Sequence, residues 1–186
     1  STTTEEAAGH TGGASGKGGD ILYRWGNPQV YDKGLSSDQQ LFAQHDVQWI
    51  EQGHPEEGQL IVFNNGNGRY PAFSSVDIIR PPIENGTYTL ASNGTYGPNQ
   101  PAWTWDQGEA MYSGSISGAQ ALANGNVLVT HGTLGTLYEV NGAGEVVWEY
   151  IGPVGPNGSY TQGEPVPAGN RAGTTANAIF KATHYP

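Results

Sequence analysis

Among the histidines and basic residues of this sequence, we consider three as candidates to bind or attack an anion: His45, Arg69 and His131. An imidazole attacks as a neutral nucleophile or donates a hydrogen bond, according to its protonation state. A guanidinium holds its donors in a rigid plane that matches the oxygens of a sulfate or a carboxylate. His45 lies in the string Gln-His-Asp-Val (44–47), and Arg69 follows the flexible loop Gly-Asn-Gly (66–68). We therefore expect His45 and Arg69 to face one anion-binding pocket, with His131 as a third member.

Each of these residues also has an ordinary structural interpretation. For His45 it is a structural histidine bonded to backbone, for Arg69 a solvated turn arginine, and for His131 a buried or loop histidine. The other histidines lie in segments flanked by Gly or Pro and are expected to be exposed; they are His10, His54 and His184. None of them shows HExxH or another metal-ligand spacing, so no metal site is predicted.

The charge balance restricts the partners. The chain has 7 basic and 17 acidic residues, a formal net charge of −10. Such a field repels phosphate backbones, which argues against a general nucleic-acid binder. An anionic substrate then needs short, directed donors in a sheltered pocket. Cysteine is absent, which excludes a disulfide framework and a thiolate metal site.

Two glycine-rich stretches imitate ligand loops without meeting their requirements. Residues 12–18 imitate a phosphate-binding loop, but Gly18 stands where Ser or Thr is needed and no helix pattern follows. Residues 64–68, Asn-Asn-Gly-Asn-Gly, carry oxygens that suit calcium but lack the acidic ligands of a strong site. We therefore predict no cofactor.

The elements that must position these side chains are predicted to be β-strands. Of the 186 residues, 29 are Gly and 12 are Pro, which interrupt helices and make turns. Five Trp and ten Tyr are too many to leave in water, so the chain needs a core. Hydrophobic residues make up only 35%, with no run long enough for a membrane span. An all-β domain is the fold class that fits.

Internal repeats indicate four-stranded units. Gly-Asp-Ile-Leu-Tyr-Arg-Trp-Gly-Asn-Pro (19–28) matches Gly-Glu-Val-Val-Trp-Glu-Tyr-Ile-Gly-Pro (144–153), and a weaker copy covers 100–108. Pairs of strand segments precede the second and third copies. Four short antiparallel strands per repeat are typical of β-propeller blades. The predicted parts of this single partial domain (1–186) are a flexible lead-in (1–18), a strand at 21–25, a blade with insertions (41–105), a second blade (117–150) and a last strand (178–182).

About two full blades plus terminal strands do not close a ring. Open blades leave unpaired strand edges, which attract other chains. The chain is therefore expected to be the C-terminal part of a larger propeller, whose missing blades cover the edges. The alternative is that other copies of this chain pair with the edge strands.

Several strings are more specific than the blade pattern. They are Ser-Gly-Lys-Gly-Gly-Asp-Ile-Leu-Tyr-Arg-Trp-Gly-Asn-Pro (15–28), Gln-His-Asp-Val (44–47), Val-Phe-Asn-Asn-Gly-Asn-Gly-Arg (62–69) and Ser-Gly-Ala-Gln-Ala-Leu-Ala-Asn-Gly-Asn (117–126). In this order they resemble the arylsulfotransferase family along about the whole chain. The opening Ser-Thr-Thr-Thr resembles an internal stretch of such proteins. The resemblance implies a six-bladed propeller.

The resemblance also implies an activity and a set of roles. A histidine takes a sulfuryl group from an aryl sulfate and passes it to a phenol, without a nucleotide cofactor. His45 matches an active-site histidine of the family, and Arg69 matches its sulfate-binding arginine. His131 is a candidate for the nucleophile, at the place in its blade that Asn64 occupies in the preceding one.

Three glycosylation sequons support a function from another class. They are Asn85-Gly86-Thr87, Asn93-Gly94-Thr95 and Asn157-Gly158-Ser159. Each is also an Asn-Gly pair, so a simple hairpin turn is the alternative interpretation. With the open edges, the sequons suit a non-catalytic glycoprotein scaffold or a filament subunit. Both hypotheses predict an extracellular or periplasmic protein, although the first residues show no signal-peptide pattern.

Overall fold

The computed structural model describes residues 2–155, 157–166 and 177–185. These residues form two compact units. The first unit comes from 1–40 and 81–100, and the second from 41–80 and 101–186. Within the described ranges, no helix has the length and the apolar character that a bilayer crossing needs.

Short strands dominate the secondary structure. In chain order they are β1 (His45–Trp49), β2 (Leu60–Asn64), β3 (Ser75–Ile79), β4 (Ile83–Glu84), β5 (Thr87–Tyr88), β6 (Trp103–Trp105), β7 (Gly118–Ala121), β8 (Val127–His131), β9 (Thr136–Val140), β10 (Val146–Ile151), β11 (Val154–Gly155) and β12 (Gly158–Ser159). One α-helix, α1 (Thr4–Ala8), occurs among the described residues, with 3-10 helices at Pro28–Tyr31, Ser36–Asp38 and Gly132–Leu134.

The second unit contains two four-stranded antiparallel sheets. The first sheet has the order β1-β2-β3-β6, and the second has the order β7-β8-β9-β10. The central strands are in simple register, with Val62 opposite Asp77 in the first sheet and Val129 opposite Tyr138 in the second. Two such sheets confirm the predicted all-β fold with propeller blades in an incomplete ring.

One apolar cluster holds the two sheets together. It joins residues of β2 and β3 to residues of β7, β8 and β9. The buried members are Ile50, Ile61, Phe63, Val76, Ile78, Trp105, Met111, Ala119, Val127, Val129 and Val140. Residues two apart on a strand point to the same face, which is why Ile61 and Phe63 enter the cluster together. The strand ends of both sheets are therefore fixed by this apolar cluster.

The first unit is held by aromatic side chains. Tyr23 stacks on Tyr88 with ring centroids 4.9 Å apart, and Tyr96 meets Tyr23 edge-on at 5.4 Å. The Tyr23 hydroxyl donates to the Gly97 carbonyl at 2.7 Å, and the Trp25 indole N–H donates to Pro98 at 2.7 Å. Burial raises the pKa of Tyr23, and the neighbouring Tyr88 raises it further. A buried neutral phenol is a suitable donor for this bond.

The structure corrects one prediction in this unit. Residues 21–25 belong to no strand, because Tyr23 and Trp25 are fixed by side-chain contacts rather than by a backbone ladder. The predicted lead-in contains α1. Thr3 caps that helix: its hydroxyl accepts from the Glu6 N–H at 3.1 Å, and its own N–H donates to the Glu6 carboxylate at 2.9 Å.

The predicted last strand at 178–182 also needs correction. This segment packs on the second sheet without belonging to a strand. The Ile179 N–H donates to Gly132 at 3.0 Å, the Phe180 carbonyl accepts from Ser117 at 3.0 Å, and the Ala182 N–H donates to the Thr130 hydroxyl at 3.1 Å. These partners lie on several elements, so no continuous ladder forms.

Candidate active site

Corresponding strand ends of the two sheets carry buried polar residues. In the first sheet β1 begins, β2 ends and β3 begins at the same end, and the second sheet repeats this with β7, β8 and β9. The buried polar residues at and beside these ends are Asn64, Asn65, Ser74, Ser75, Ser113, Ser117, Thr130, His131, Thr133 and Thr136. Buried polar groups need partners, so this end is expected to be a hydrogen-bonded network.

His45 is half-buried at the first position of β1. Its Nδ1 lies 2.7 Å from the Asn65 side-chain oxygen and 3.3 Å from the Ala43 carbonyl oxygen. The Asn65 amide nitrogen donates to the carbonyls of Ser113 at 2.6 Å and Ile116 at 2.9 Å. Asn65 therefore connects His45, through hydrogen bonds, to the segment that precedes β7.

Three buried serines extend this connection. The Ser74 hydroxyl donates to the Asn65 carbonyl at 2.7 Å and accepts from the Ser113 N–H at 2.8 Å. The Ser117 hydroxyl donates to the Ser113 hydroxyl at 2.8 Å and accepts from the Gly132 N–H at 2.9 Å. The network thus runs from β1 to the residue that follows β8.

His131 ends β8 and is only 1% exposed. Its Nε2 lies 3.2 Å from the Tyr112 carbonyl oxygen, which can only accept, so Nε2 carries a proton. Burial lowers the pKa of His131, and the bond to Tyr112 partly opposes that shift. His131 and Asn64 are the last residues of equivalent strands, as the repeat predicts.

Backbone strain concentrates beside His45. Ala43 and Asp46 have left-handed φ values of 54° and 56°, and Ile116 and Ser117 have φ of 52° and 83°. Such values are uncommon for residues with a side chain, and a β-branched residue there is an outlier. Strained backbone of this kind clusters at functional sites, where the surrounding contacts hold it in place. Here the network supplies those contacts.

Asp46, next to His45, reaches the second sheet. Its Oδ2 accepts from the Ala119 N–H at 3.2 Å and from the Gln48 amide at 2.9 Å, and Lys181 pairs with its Oδ1. A Cβ on Gly118 would lie 2.3 Å from the Asp46 carboxylate. Glycine at the start of β7 is therefore required by this close approach.

Arg69 is half-buried between two aromatic rings. Its guanidinium carbon lies 4.2 Å from the Phe73 ring centroid and 5.3 Å from that of Phe42, and one N–H donates to the Phe73 carbonyl at 3.4 Å. Burial lowers the pKa of Arg69, whereas the charges of Asp77 and Asp106 raise it. Cation–π contacts with two rings restrict where the guanidinium can point.

One turn connects Arg69 to the segment that enters β1. The Gly66 N–H donates to the Phe42 carbonyl at 3.0 Å, and the Gly66 carbonyl accepts from the Arg69 N–H at 3.0 Å. Gly66 has a φ of 73°, and a Cβ there would lie 1.7 Å from the Phe73 carbonyl oxygen. His45 and Arg69 thus come from two short segments that are bonded to each other.

A comparison with known families shows which family has this sequence pattern. A family model described as Arylsulfotransferase (ASST) matches residues 15–152, which include His45, Arg69 and His131. The chain belongs to the arylsulfotransferase family. No curated protein and no solved structure matches it. Membership of this family supports a sulfotransferase-like function.

Sequence reasoning missed Asp77 as a residue of this region. Asp77, in the middle of β3, is 4% exposed. It accepts hydrogen bonds from the Asn64 amide at 3.1 Å, the Ser75 hydroxyl at 3.1 Å and the Thr104 hydroxyl at 2.9 Å. Burial raises the pKa of Asp77, and these bonds and the charge of Arg69 oppose the shift. The signal was present, since an aspartate interrupts an apolar strand.

The asparagines of the three predicted sequons lie in turns. Asn85 has a φ of 51° in the turn between β4 and β5, the Asn93 side chain accepts from Thr95, and Asn157 precedes β12; all three asparagines are exposed. Their turns agree with the structural interpretation of the sequons.

The other histidines are only partly as expected. His10, paired with Asp20, and His184 are exposed, but His54 is half-buried, with an Nδ1 that has no partner in the described part of the chain. Within the described ranges, no group of three or more His, Asp or Glu side chains is arranged to hold a metal ion.

Proposed function

We propose that the intact protein transfers a sulfuryl group from an aryl sulfate to a phenol, and that His45 is the nucleophile. The observation that carries this proposal is the environment of the imidazole. Nδ1 is engaged by Asn65 and Ala43, whereas Nε2 makes no hydrogen bond within the described residues. A half-buried imidazole with one nitrogen fixed and the other unoccupied suits nucleophilic attack.

The proposed reaction has two steps, sulfurylation of His45 and transfer of the sulfuryl group to the acceptor. The Nε2 lone pair attacks the sulfur atom, the bond between sulfur and the aryl oxygen breaks, and the phenolate leaves with that electron pair and takes a proton from water. The acceptor phenol then attacks the same sulfur and loses its proton to solvent. The N–S bond breaks, and its electrons return to Nε2. The imidazole is neutral again, and no cofactor is consumed.

Arg69 is proposed to bind the sulfate oxygens. A sulfuryl group carries negative charge through both steps, and a fixed cation stabilises that charge without reorganising. The guanidinium contacts the rings of Phe42 and Phe73, which supports this role. The buried, neutral His131 is better suited to holding the Tyr112 carbonyl than to attack, although its catalytic role remains a prediction.

An assay with a chromogenic aryl sulfate as donor and a phenol as acceptor tests this function. We expect His45→Asn to lower the transfer rate by roughly 10³-fold or more, as for other nucleophiles. His184→Asn, an exposed histidine of the same unit, is the matched control and is expected to retain the rate. Mass spectrometry of the peptide that contains His45 is expected to show one added sulfuryl group after donor is supplied alone. Equal rates in the two variants contradict the proposal.

A second candidate function, a scaffold built from associating copies, is favoured by β10. All six of its residues are exposed, and Glu149 is their only charge. An exposed apolar edge strand with so little charge is a template for pairing with another chain. We propose the secreted location for both functions. Light scattering during size-exclusion chromatography tests the scaffold: an assembly that Trp148→Lys dissociates supports it, and a monomer contradicts it.

A further inference from the structure

Neutral histidine has two tautomers, and only the nitrogen without a proton can attack sulfur. The reactive atom of His45 is therefore decided by the groups that surround Nδ1. Two oxygens lie within reach of Nδ1: the Asn65 side-chain oxygen at 2.7 Å and the Ala43 carbonyl oxygen at 3.3 Å. A carbonyl oxygen only accepts, so an Nδ1 without a proton would face two acceptors and no donor.

The orientation of the Asn65 amide follows from its other contacts. The end that faces away from His45 lies 2.6 Å from the Ser113 carbonyl oxygen and 2.9 Å from the Ile116 carbonyl oxygen. Only the NH₂ group can satisfy both carbonyls, since an oxygen there would meet two acceptors. The amide oxygen must then face His45, and a flip of the side chain is excluded by the two carbonyls.

The position of Asn65 is itself fixed. The side chain is fully buried, and the Asn65 carbonyl accepts from the buried Ser74 hydroxyl at 2.7 Å. Asn65 also follows directly after β2. Ile116 and Ala43, whose carbonyls contact the Asn65 amide nitrogen and the His45 Nδ1 respectively, both have left-handed φ values. A buried amide whose nitrogen is bonded to two backbone carbonyls has little freedom to adjust to the imidazole, so the imidazole adjusts to it.

We propose that Asn65 is a positioning residue that holds the proton of neutral His45 on Nδ1 and so makes Nε2 the nitrogen that accepts the sulfuryl group. The tautomer stands on the contacts alone, whereas the sulfuryl acceptor rests on the proposed function. When Nε2 forms its bond to sulfur, the ring becomes positively charged. The Nδ1–H then donates to Asn65 and Ala43 more strongly, which stabilises the charged ring in the transition state.

The first experiment measures the tautomer without any substrate. Two-bond ¹H–¹⁵N correlation spectra of ¹⁵N-histidine-labelled protein distinguish a nitrogen with a proton from one without. The spectrum is recorded at pH of about 8.5, well above the ordinary histidine pKa of about 6.5. His45→Asn identifies the signals of His45 by their loss. We expect the Nδ1–H tautomer, and an Nε2–H tautomer in the wild-type protein overturns the proposal.

Two variants of Asn65 distinguish the loss of the acceptor oxygen from a general loss of stability. Asn65→Leu removes the oxygen that faces Nδ1, and Asn65→Asp keeps an oxygen there but loses the NH₂ donor. Both lose the bonds to Ser113 and Ile116 and are expected to lose stability, Asn65→Asp the more because a carboxylate oxygen then faces two carbonyl oxygens. Only Asn65→Leu is expected to lower the population of the Nδ1–H tautomer of His45. A shared change of tautomer in both variants contradicts the role of the oxygen.

The activity of these variants tests the second half of the proposal. Misplacing a reacting group costs up to about 10²-fold in rate, so Asn65→Leu is expected to lower kcat by 10- to 10²-fold with little change in KM. Asn67→Leu is the control: Asn67 is exposed in the same loop, and its amide makes only a long bond of 3.4 Å to Gly114. If the tautomer changes and kcat does not, Asn65 holds the proton but His45 is not the nucleophile.

Discussion

The two four-stranded sheets share a strand plan but place their histidines differently. In both sheets the residue two positions before the first strand is left-handed, Ala43 with φ 54° and Ile116 with φ 52°. The first sheet has its histidine at the start of the first strand, where it is half-buried. The second has its histidine at the end of the second strand, where it is 1% exposed.

This difference separates a reactive position from a structural one. His45 has a rigid acceptor on one nitrogen and no described partner on the other, whereas His131 donates to Tyr112 inside the core. Two sheets with the same strand order therefore carry histidines of different chemistry, because burial decides whether a substrate can reach the ring. Changes in both sheets test this contrast.

The largest effect on stability is expected at the centre of the third strands. Asp77 in β3 and Tyr138 in β9 occupy matched places, opposite Val62 and Val129. Asp77→Ala removes the acceptor of three hydrogen bonds, from Asn64, Ser75 and Thr104, and is expected to cost about 3 kcal/mol or more of the free energy of unfolding. Tyr138→Phe removes one hydroxyl and is expected to cost about 1 kcal/mol. Urea denaturation measures both, and equal costs contradict the contrast.

The second-largest difference in stability is expected between variants of the two histidines. His131→Ala empties a buried site and frees the Tyr112 carbonyl, so we expect a loss of about 2–4 kcal/mol in the free energy of unfolding. His45→Ala removes a half-buried ring and is expected to cost about 1 kcal/mol. Thermal denaturation followed by circular dichroism compares them. If His45→Ala is the more destabilising change, His45 is a structural residue.

The pH dependence of stability provides a smaller effect. Burial lowers the pKa of His131, so the folded state binds its proton less readily than the unfolded state does. The stability due to neutral His131 is then complete above the unfolded pKa of about 6.5 and is lost as pH falls towards the lower folded pKa. The slope is at most about 1.4 kcal/mol per pH unit. Between pH 7 and 5, the denaturation midpoint of His131→Gln is expected to fall less than that of the wild-type protein. Parallel pH dependences of the two midpoints contradict this.

The smallest effect is expected at the strained residue before β1. Ala43→Gly relieves the cost of a left-handed φ but adds freedom to the unfolded chain, for a net gain of up to about 1 kcal/mol. The same change is expected to loosen the Ala43 carbonyl from His45 and to lower the transfer rate. Paired measurements of stability and rate check both signs. A variant that loses stability shows that the strain is not relieved.

The sheets could be predicted from the sequence because their signals are local. Strand-forming residues alternate between Asn-Gly turns, and the two repeats align so well that Asn64 and His131 fall at the same position of their strands. The candidate residues His45 and Arg69 were found because the strings around them resemble those of the arylsulfotransferase family. Both belong to segments that the structure links through Gly66.

The partners of these residues could not be predicted, because they are distant in the sequence. Asn65 is one of several asparagines in a turn-like string, and only its bonds to Ser113 and Ile116 give it a role. The strand expected at 21–25 was not formed for a similar reason, since Tyr23 and Trp25 find partners near Pro98. Long-range side-chain contacts overrode the local preference for a strand.

The unequal loops of the two sheets also set an expected order of folding. The strands of the second sheet are joined by residues 122–126, 132–135 and 141–145, whereas residues 80–102 separate β3 from β6 in the first. Closing a longer loop costs more conformational entropy, and local contacts form faster. We expect the sheet of the buried His131 to form first, so that His45 reaches its site late in the folding reaction. Pulsed hydrogen exchange tests this order: amides of β8 and β9 should gain protection before those of β3, and the reverse order contradicts it.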